Sequence, residues 1–214
     1  MLNMDTYRKR VFLLLPPFYL MGFIFHLVDA TYAPMLALTP YTILATAIIG
    51  FLPDILAKNR ALLTWAAITF LVTILLEILG VATGAVFGAY SYGKTLGFQV
   101  GRVPVLIGIN WTLIIMGSAA FASRLTSNAW LASLATAITT VVFDWIMEPV
   151  AIALDYWTWD GGDIPMQNYV AWLVISFLFT RILIRFKLRT CSDIPFLIVV
   201  VQALFFLLLR LFVI

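Results

Sequence analysis

Three carboxyl side chains stand out because each lies deep within a long apolar stretch: Glu77, Asp144 and Glu148. A carboxyl group near the middle of a bilayer is disfavoured by about 2.5 to 3.5 kcal/mol on insertion scales, so acids at this depth usually have a function. Because burial disfavours the charged form, we expect such a group to keep its proton at neutral pH. A neutral carboxylic acid facing an apolar cavity is a proton donor, and proton donation is the chemistry that these residues predict.

Asp144 and Glu148 are spaced at i and i+4, which places them on one face of a helix. Two carboxyl groups at this spacing resist joint ionisation, so one of them should hold a proton. Pro149 follows directly, and its missing N–H predicts a bend in the helix. The alternative is a purely structural one, in which the two acids pair with Arg102 or His26.

Glu77 precedes glycines that recur every four residues, at Gly80, Gly84 and Gly88. In a helix this spacing predicts a smooth strip on which a second helix or a rigid ligand can lie. Glu77 lies one turn below that strip. Its depth favours a functional role over that of an ion-pair partner.

Two further pairs have spacings that point to a site. Asn168 and Trp172, at i and i+4, direct an amide and an indole the same way after a loop rich in Trp and Tyr, which predicts either a lid or an interfacial belt. His26 and Asp29 predict either a proton relay or a hydrogen-bonded packing histidine.

The composition is that of a polytopic membrane protein. Of 214 residues, 64% are hydrophobic and only 11% are charged, whereas soluble domains are about 45–50% apolar and about 25% charged. Cys191 is the single cysteine, so an internal disulfide is excluded. No metal-ligand spacing and no phosphate-binding loop occurs, so we expect neither a metal nor another cofactor. The net charge of +3 is dispersed, which argues against nucleic-acid binding.

Apolar stretches predict an all-α bundle of about seven transmembrane helices joined by short loops. Because these loops leave no room for a soluble module, we expect residues 1–214 to form a single membrane domain. The predicted spans are 11–28, 35–56, 62–84, 103–123, 129–154, 168–187 and 194–213.

The positive charges predict the orientation of this bundle. With a cytoplasmic N-terminus, ten of the 13 Lys and Arg residues fall on the inner side, and only Lys94, Arg102 and Arg210 fall outside. In that orientation, polar groups from five helices gather in the outer half of the membrane. They are His26, Glu77, Arg102, Asn110, Asp144, Glu148, Asn168 and Trp172.

An ordered set of short motifs resembles the membrane-bound carotenoid biosynthesis protein family of the bisanhydrobacterioruberin hydratase and carotenoid 1,2-hydratase type. The resemblance covers about residues 73–172. Many members have Asp-Pro where this chain has Glu148-Pro149, which retains the acid on a side chain one methylene longer. The matching residues are Glu77, Gly80, Thr83-Gly84, Phe87-Gly88, Tyr90-Ser91-Tyr92, Leu96-Gly97, Val103-Pro104, Asn110-Trp111, Asp144, Glu148-Pro149, Tyr156-Trp157-Thr158-Trp159, Ile164-Pro165, Asn168 and Trp172.

The resemblance implies addition of water across the terminal C1=C2 double bond of an acyclic (ψ) carotenoid end group, without a cofactor. A buried carboxylic acid would protonate the alkene, aromatic rings would stabilise the tertiary cation, and the second carboxylate would deprotonate the attacking water. Glu77, Asp144 and Glu148 are the expected catalytic residues. The expected substrate-binding residues are Tyr90, Tyr92, Asn110, Trp111, Trp145, Asn168 and Trp172, and the expected supporting residues are His26, Arg102 and Asp155.

The expected partners are a carotenoid such as lycopene, γ-carotene or bisanhydrobacterioruberin, the lipid bilayer and a downstream glycosyltransferase. The expected location is the cytoplasmic membrane of a bacterium or archaeon. Two alternatives remain open. A lycopene-cyclase-like enzyme would quench the same cation with a neighbouring double bond, although the Pro-x-Glu-Glu motif of the small membrane cyclases is absent. A polyene carrier or proton-coupled transporter would use the acids as a relay, although no internal repeat is evident.

Overall fold

Seven helices account for most of the chain in a computed structural model, which describes residues 3–214. The all-α prediction is confirmed, and each helix overlaps one predicted span. The helices are α1 (Met4–His26), α2 (Asp29–Leu56), α3 (Arg60–Thr83), α4 (Val105–Leu125), α5 (Ala129–Ala153), α6 (Met166–Arg185) and α7 (Ile194–Phe212).

Six of these helices, α2 to α7, are long and apolar enough to cross a membrane. The first helix differs because charged residues, among them Arg8, Lys9 and Arg10, occupy its first two turns. Beyond them, α1 packs on the bundle through residues such as Leu15 and leaves Leu13 72% exposed. An apolar surface of this kind is suited to lipid, and the chain is an integral membrane protein.

The predicted glycine strip is wrong, because α3 stops before it is complete. Gly84 adopts a left-handed conformation (φ 68°) and donates its backbone N–H to the Gly80 carbonyl at 2.7 Å, which ends the helix after Thr83. Glycine is favoured at this position because a residue with a Cβ would be strained at such a positive φ. Only Gly80 therefore lies in α3, and Gly88 (φ 106°) lies in the following loop.

Two short β-ribbons cover the end of the bundle where α3 and α5 finish and α4 and α6 begin. Strand β1 (Tyr90–Tyr92) pairs antiparallel with β4 (Trp157–Trp159), and β2 (Gln99–Val100) pairs with β3 (Val103–Pro104). In the first ribbon Tyr90 lies opposite Trp159 and Tyr92 lies opposite Trp157. The ribbon joins two loops that are far apart in sequence and holds them over the helix ends.

Candidate active site

The three acids predicted from the sequence converge in one buried pocket beneath the β1–β4 ribbon. Their side chains come from α3 and α5 and are at most 3% exposed. They surround a cavity of about 20 Å³, room for about one water molecule. The pocket is lined by Glu77, Phe87, Tyr90, Tyr92, Trp111, Asp144, Glu148, Trp157, Trp159, Asn168 and Trp172.

Glu148 accepts three hydrogen bonds, more than either of the other two acids. The indole N–H groups of Trp157 and Trp159 donate to its Oε2 at 2.9 and 3.0 Å, and Asn168 Nδ2 donates to its Oε1 at 3.1 Å. Hydrogen bonds to the charged form of a carboxyl group stabilise that form. Of the three acids, Glu148 is thus the one best solvated by the protein as an anion.

Asp144 shares the Asn168 amide with Glu148. Asn168 Nδ2 lies 2.7 Å from Asp144 Oδ2 while it also reaches Glu148. Within residues 3–214, no other donor reaches the Asp144 side chain. Because of the i, i+4 spacing, both carboxyl groups lie within hydrogen-bonding distance of the same nitrogen, Asn168 Nδ2. This arrangement suits a pair that carries one proton between them.

Glu77 is held by two phenols of β1. Tyr90 and Tyr92 both donate to Glu77 Oε2, Tyr92 at 2.8 Å. Burial and the neighbouring Glu77 raise the pKa of both phenols above the usual value of 10.0, so they remain hydrogen-bond donors. Since Tyr90 and Tyr92 alternate with Ser91 along the strand, both rings project toward Glu77.

The structure contradicts the interpretation in which the acids form ion pairs. In the described part of the chain the salt bridges join Arg8 and Arg124 to Asp193, which lies just before α7. Arg102 is exposed in the turn between β2 and β3. The pocket therefore holds three carboxyl groups without a basic partner, a combination that strongly disfavours their joint ionisation.

Aromatic rings form the remaining wall of the pocket. The indoles of Trp111 and Trp172 are stacked, with centroids 3.7 Å apart and planes 21° apart. Phe87 stacks on the other side of Trp172 at 5.3 Å, and Tyr90 meets Trp159 at 4.9 Å. The faces of aromatic rings attract cations, so this wall can stabilise positive charge that develops beside the acids.

Five residues predicted to serve the site lie outside the acid pocket. Trp145 is 53% exposed on the outer face of α5, with the Arg210 guanidinium 4.2 Å above its ring. Trp145 is the next residue after Asp144, so its side chain is turned by about 100° around the helix and lies on a different face. Arg102 and Asp155 are exposed in loops.

Asn110 and His26, the other two, line a second and larger cavity. This apolar chamber has a volume of about 310 Å³ and lies between α1, α2, α4 and α7. Trp157 borders both the chamber and the acid pocket. The residue whose indole donates to Glu148 is therefore shared by the linings of the two spaces.

Trp157, Trp159 and Phe87 line the pocket but were not predicted as site residues. Trp-Thr-Trp and Tyr-Ser-Tyr share the alternation of a strand, which places both outer residues of each triplet on one face. This two-residue alternation was the feature of the sequence that could have indicated these residues. Triplets this short are too weak to predict a ribbon by themselves.

The fold and the pocket define an α-helical integral membrane protein with buried acids set against an aromatic wall. A family model described as carotenoid biosynthesis protein matches residues 36–213, and the chain belongs to that family. This confirms the resemblance found in the sequence and extends it beyond residues 73–172. Membership places the chain among proteins of carotenoid biosynthesis.

A curated relative is bisanhydrobacterioruberin hydratase of Haloarcula japonica, 28% identical over 177 residues. The alignment covers 73% of this chain and 60% of that protein, so the chain spans less than two thirds of the length of its relative. No solved structure is significantly similar to the chain.

Proposed function

We propose that the protein is a carotenoid hydratase, which adds water across the terminal C1=C2 double bond of an acyclic end group to give a tertiary alcohol. The observation that carries the proposal is the trio of buried acids without a basic partner, facing a cavity that has room for one water molecule. Family membership and the hydratase name of the relative support the same reaction class.

Asp144 is the proposed general acid. Among the described residues, Asn168 alone donates to it, whereas its neighbour Glu148 accepts three hydrogen bonds, so the shared proton belongs on Asp144. Transfer of that proton to C2 of the alkene forms a C–H bond and leaves a tertiary cation at C1. A positioned acid of this kind contributes about 10²- to 10⁴-fold to a rate.

The stacked indoles of Trp111 and Trp172 are the proposed stabilisers of the cation. A cation over an aromatic face gains about 0.5 to 2 kcal/mol, and a ring does not capture the cation as a carboxylate would. Because the cavity holds little more than a water molecule, these rings must move apart when an end group enters.

Glu148 is the proposed base for the water. The water oxygen bonds to C1 and one of its protons passes to Glu148, whose anion Trp157 and Trp159 stabilise. Return of this proton to Asp144 restores the resting state, so the net change is the gain of one water. Glu77 and its two phenols complete the polar side of the pocket.

We also propose an orientation, a membrane and a substrate for the enzyme. The N-terminus is cytoplasmic, and the acids lie in the outer half of the cytoplasmic membrane of a bacterium or archaeon. The substrate is an acyclic carotenoid such as lycopene, γ-carotene or bisanhydrobacterioruberin. A glycosyltransferase acting on the new hydroxyl group would follow.

Expression in cells that accumulate lycopene or γ-carotene tests the reaction. The expected product has gained the mass of one water, and Asp144→Asn, matched for expression, should form it about 10²- to 10⁴-fold more slowly. An altered retention time at unchanged mass would identify a cyclase instead. Absence of any new product from lycopene, γ-carotene and bisanhydrobacterioruberin would contradict the proposal and favour a carrier.

A further inference from the structure

Two of the residues that line the apolar chamber, His26 and Gln202, carry buried polar atoms that have no role in the acid pocket. Nε2 of His26 and Oε1 of Gln202 are buried and have no hydrogen-bond partner within residues 3–214. The two side chains are 7% and 3% exposed, and both line the chamber. Buried polar atoms are nearly always partnered, so these atoms point to something that occupies the chamber.

Both of these atoms are hydrogen-bond acceptors. Nδ1 of His26 lies 2.7 Å from the Gly22 carbonyl, which can only accept, so in the neutral ring Nε2 carries the lone pair. Gln202 uses its Nε2 to donate to the Tyr19 hydroxyl at 3.3 Å, which leaves its carbonyl oxygen free. The missing partner must therefore be a donor, and a hydroxyl group meets that requirement where a hydrocarbon does not.

The chamber also extends to the lipid-facing surface of the bundle. Phe18 and Met21 of α1 and Leu38 of α2 line it while they are 47–55% exposed. A ligand can thus enter sideways from the bilayer, between these two helices. The volume of about 310 Å³ is at the lower end of the usual range for ligand pockets, so it fits the end of a chain rather than a whole carotenoid.

We propose that the chamber is a binding site for the hydroxyl-bearing end of a linear isoprenoid, whose O–H donates to His26 Nε2 or Gln202 Oε1. The helical rise places Tyr19, the partner of Gln202, about 10 Å from His26 along α1, so the acceptors offer two depths of insertion. The site goes beyond the proposed hydration because it requires binding alone. Trp157 lines both this chamber and the acid pocket.

Competition binding tests this site. Radiolabelled farnesol, a linear isoprenoid alcohol, is bound to the purified protein in lipid nanodiscs, and unlabelled farnesol is compared with the hydrocarbon farnesene as competitor. One neutral hydrogen bond predicts a three- to tenfold preference for the alcohol. His26→Phe and Gln202→Met keep the approximate size of each side chain and remove the acceptor. The double variant should therefore abolish the preference while farnesene still competes, and the single variants identify which atom accepts.

Gly22→Leu provides the control for location. A Cβ at Gly22 would make an ordinary van der Waals contact with Phe205, at 3.7 Å, and Gly22 lines the chamber. We therefore expect a leucine there to be accommodated and to project into the chamber. This variant should fold with an unchanged melting temperature and bind neither probe. Full binding in Gly22→Leu would overturn the proposed location.

An equal affinity for both probes in the wild type, or a preference that survives the double variant His26→Phe/Gln202→Met, would overturn the hydroxyl assignment and leave a buried water as the partner. Asp144→Asn should bind farnesol as the wild type does. Failure of hydration and failure of this site are therefore measured separately.

Discussion

Asp54, near the opposite end of the bundle, provides a comparison for the acid pocket. Its carboxylate is 0% exposed and accepts from Asn59 Nδ2 at 2.8 Å, Thr190 Oγ1 at 2.8 Å and the Cys191 backbone N–H at 2.9 Å. These bonds fasten the turn after α2 to the segment that precedes α7. Asp54 is a single acid whose two oxygens are both occupied by structural donors.

The acid pocket differs from the Asp54 site in crowding rather than in burial. Its carboxyl groups come from α3 and α5, two of them share one amide nitrogen, and they face a cavity. Asp54 is as well buried as the three acids, so burial alone does not separate the two sites. What separates them is whether a neighbouring acid competes for the same proton and whether an open space lies beside it.

The largest expected effect on the rate comes from substitutions of Asp144 and Glu148, the two acids that share Asn168. Asp144→Asn removes the proton donor and Glu148→Gln removes the base, so each should lower the rate of product formation by about 10²- to 10⁴-fold. Since both amides are close in size to the acids, the melting temperature in detergent should change little. Turnover at the wild-type rate in both variants would remove this pair from the mechanism.

Asp54→Ala should show the opposite pattern. Three donors lose their acceptor, so we expect the free energy of unfolding to fall by about 2 to 4 kcal/mol. The rate per folded molecule should stay the same, because the site lies at the other end of the helices. Thermal unfolding monitored beside product analysis checks both quantities. A loss of rate in correctly folded protein would contradict a purely structural role for Asp54.

Tyr92→Phe should have the smallest effect. It removes one of the two phenols on Glu77 while Tyr90 remains, so we expect about a two- to tenfold loss of rate and about 1 kcal/mol of stability. Because the folded-state pKa of Tyr92 is raised above 10.0, its contribution to stability is present below pH 10 and is lost as the pH rises further. Melting temperatures from pH 8 to 11 should fall less steeply in this variant than in the wild type.

The sequence predicted the helices and the meeting of the three acids, because both depend on long apolar stretches and on depth within them. It did not predict two of the three donors to Glu148, since Trp157 and Trp159 reach it through a three-residue strand that carries almost no periodic signal. The glycine strip was wrong because Gly84 adopts a left-handed conformation that ends α3. Trp145 lies outside the pocket because it is one step around α5 from Asp144. The roles assigned to individual acids remain predictions.

The pairing of Tyr90–Tyr92 with Trp157–Trp159 makes the pocket more sensitive to an inserted residue than to a single substitution in these strands. Strand side chains alternate between faces, so one added residue in either triplet would turn Ser91 or Thr158 inward and direct the phenols or indoles outward. All donors from that strand would be lost in a single event. Evolution of this site can therefore proceed by exchange of side chains, whereas changes in length are restricted to the turns on either side.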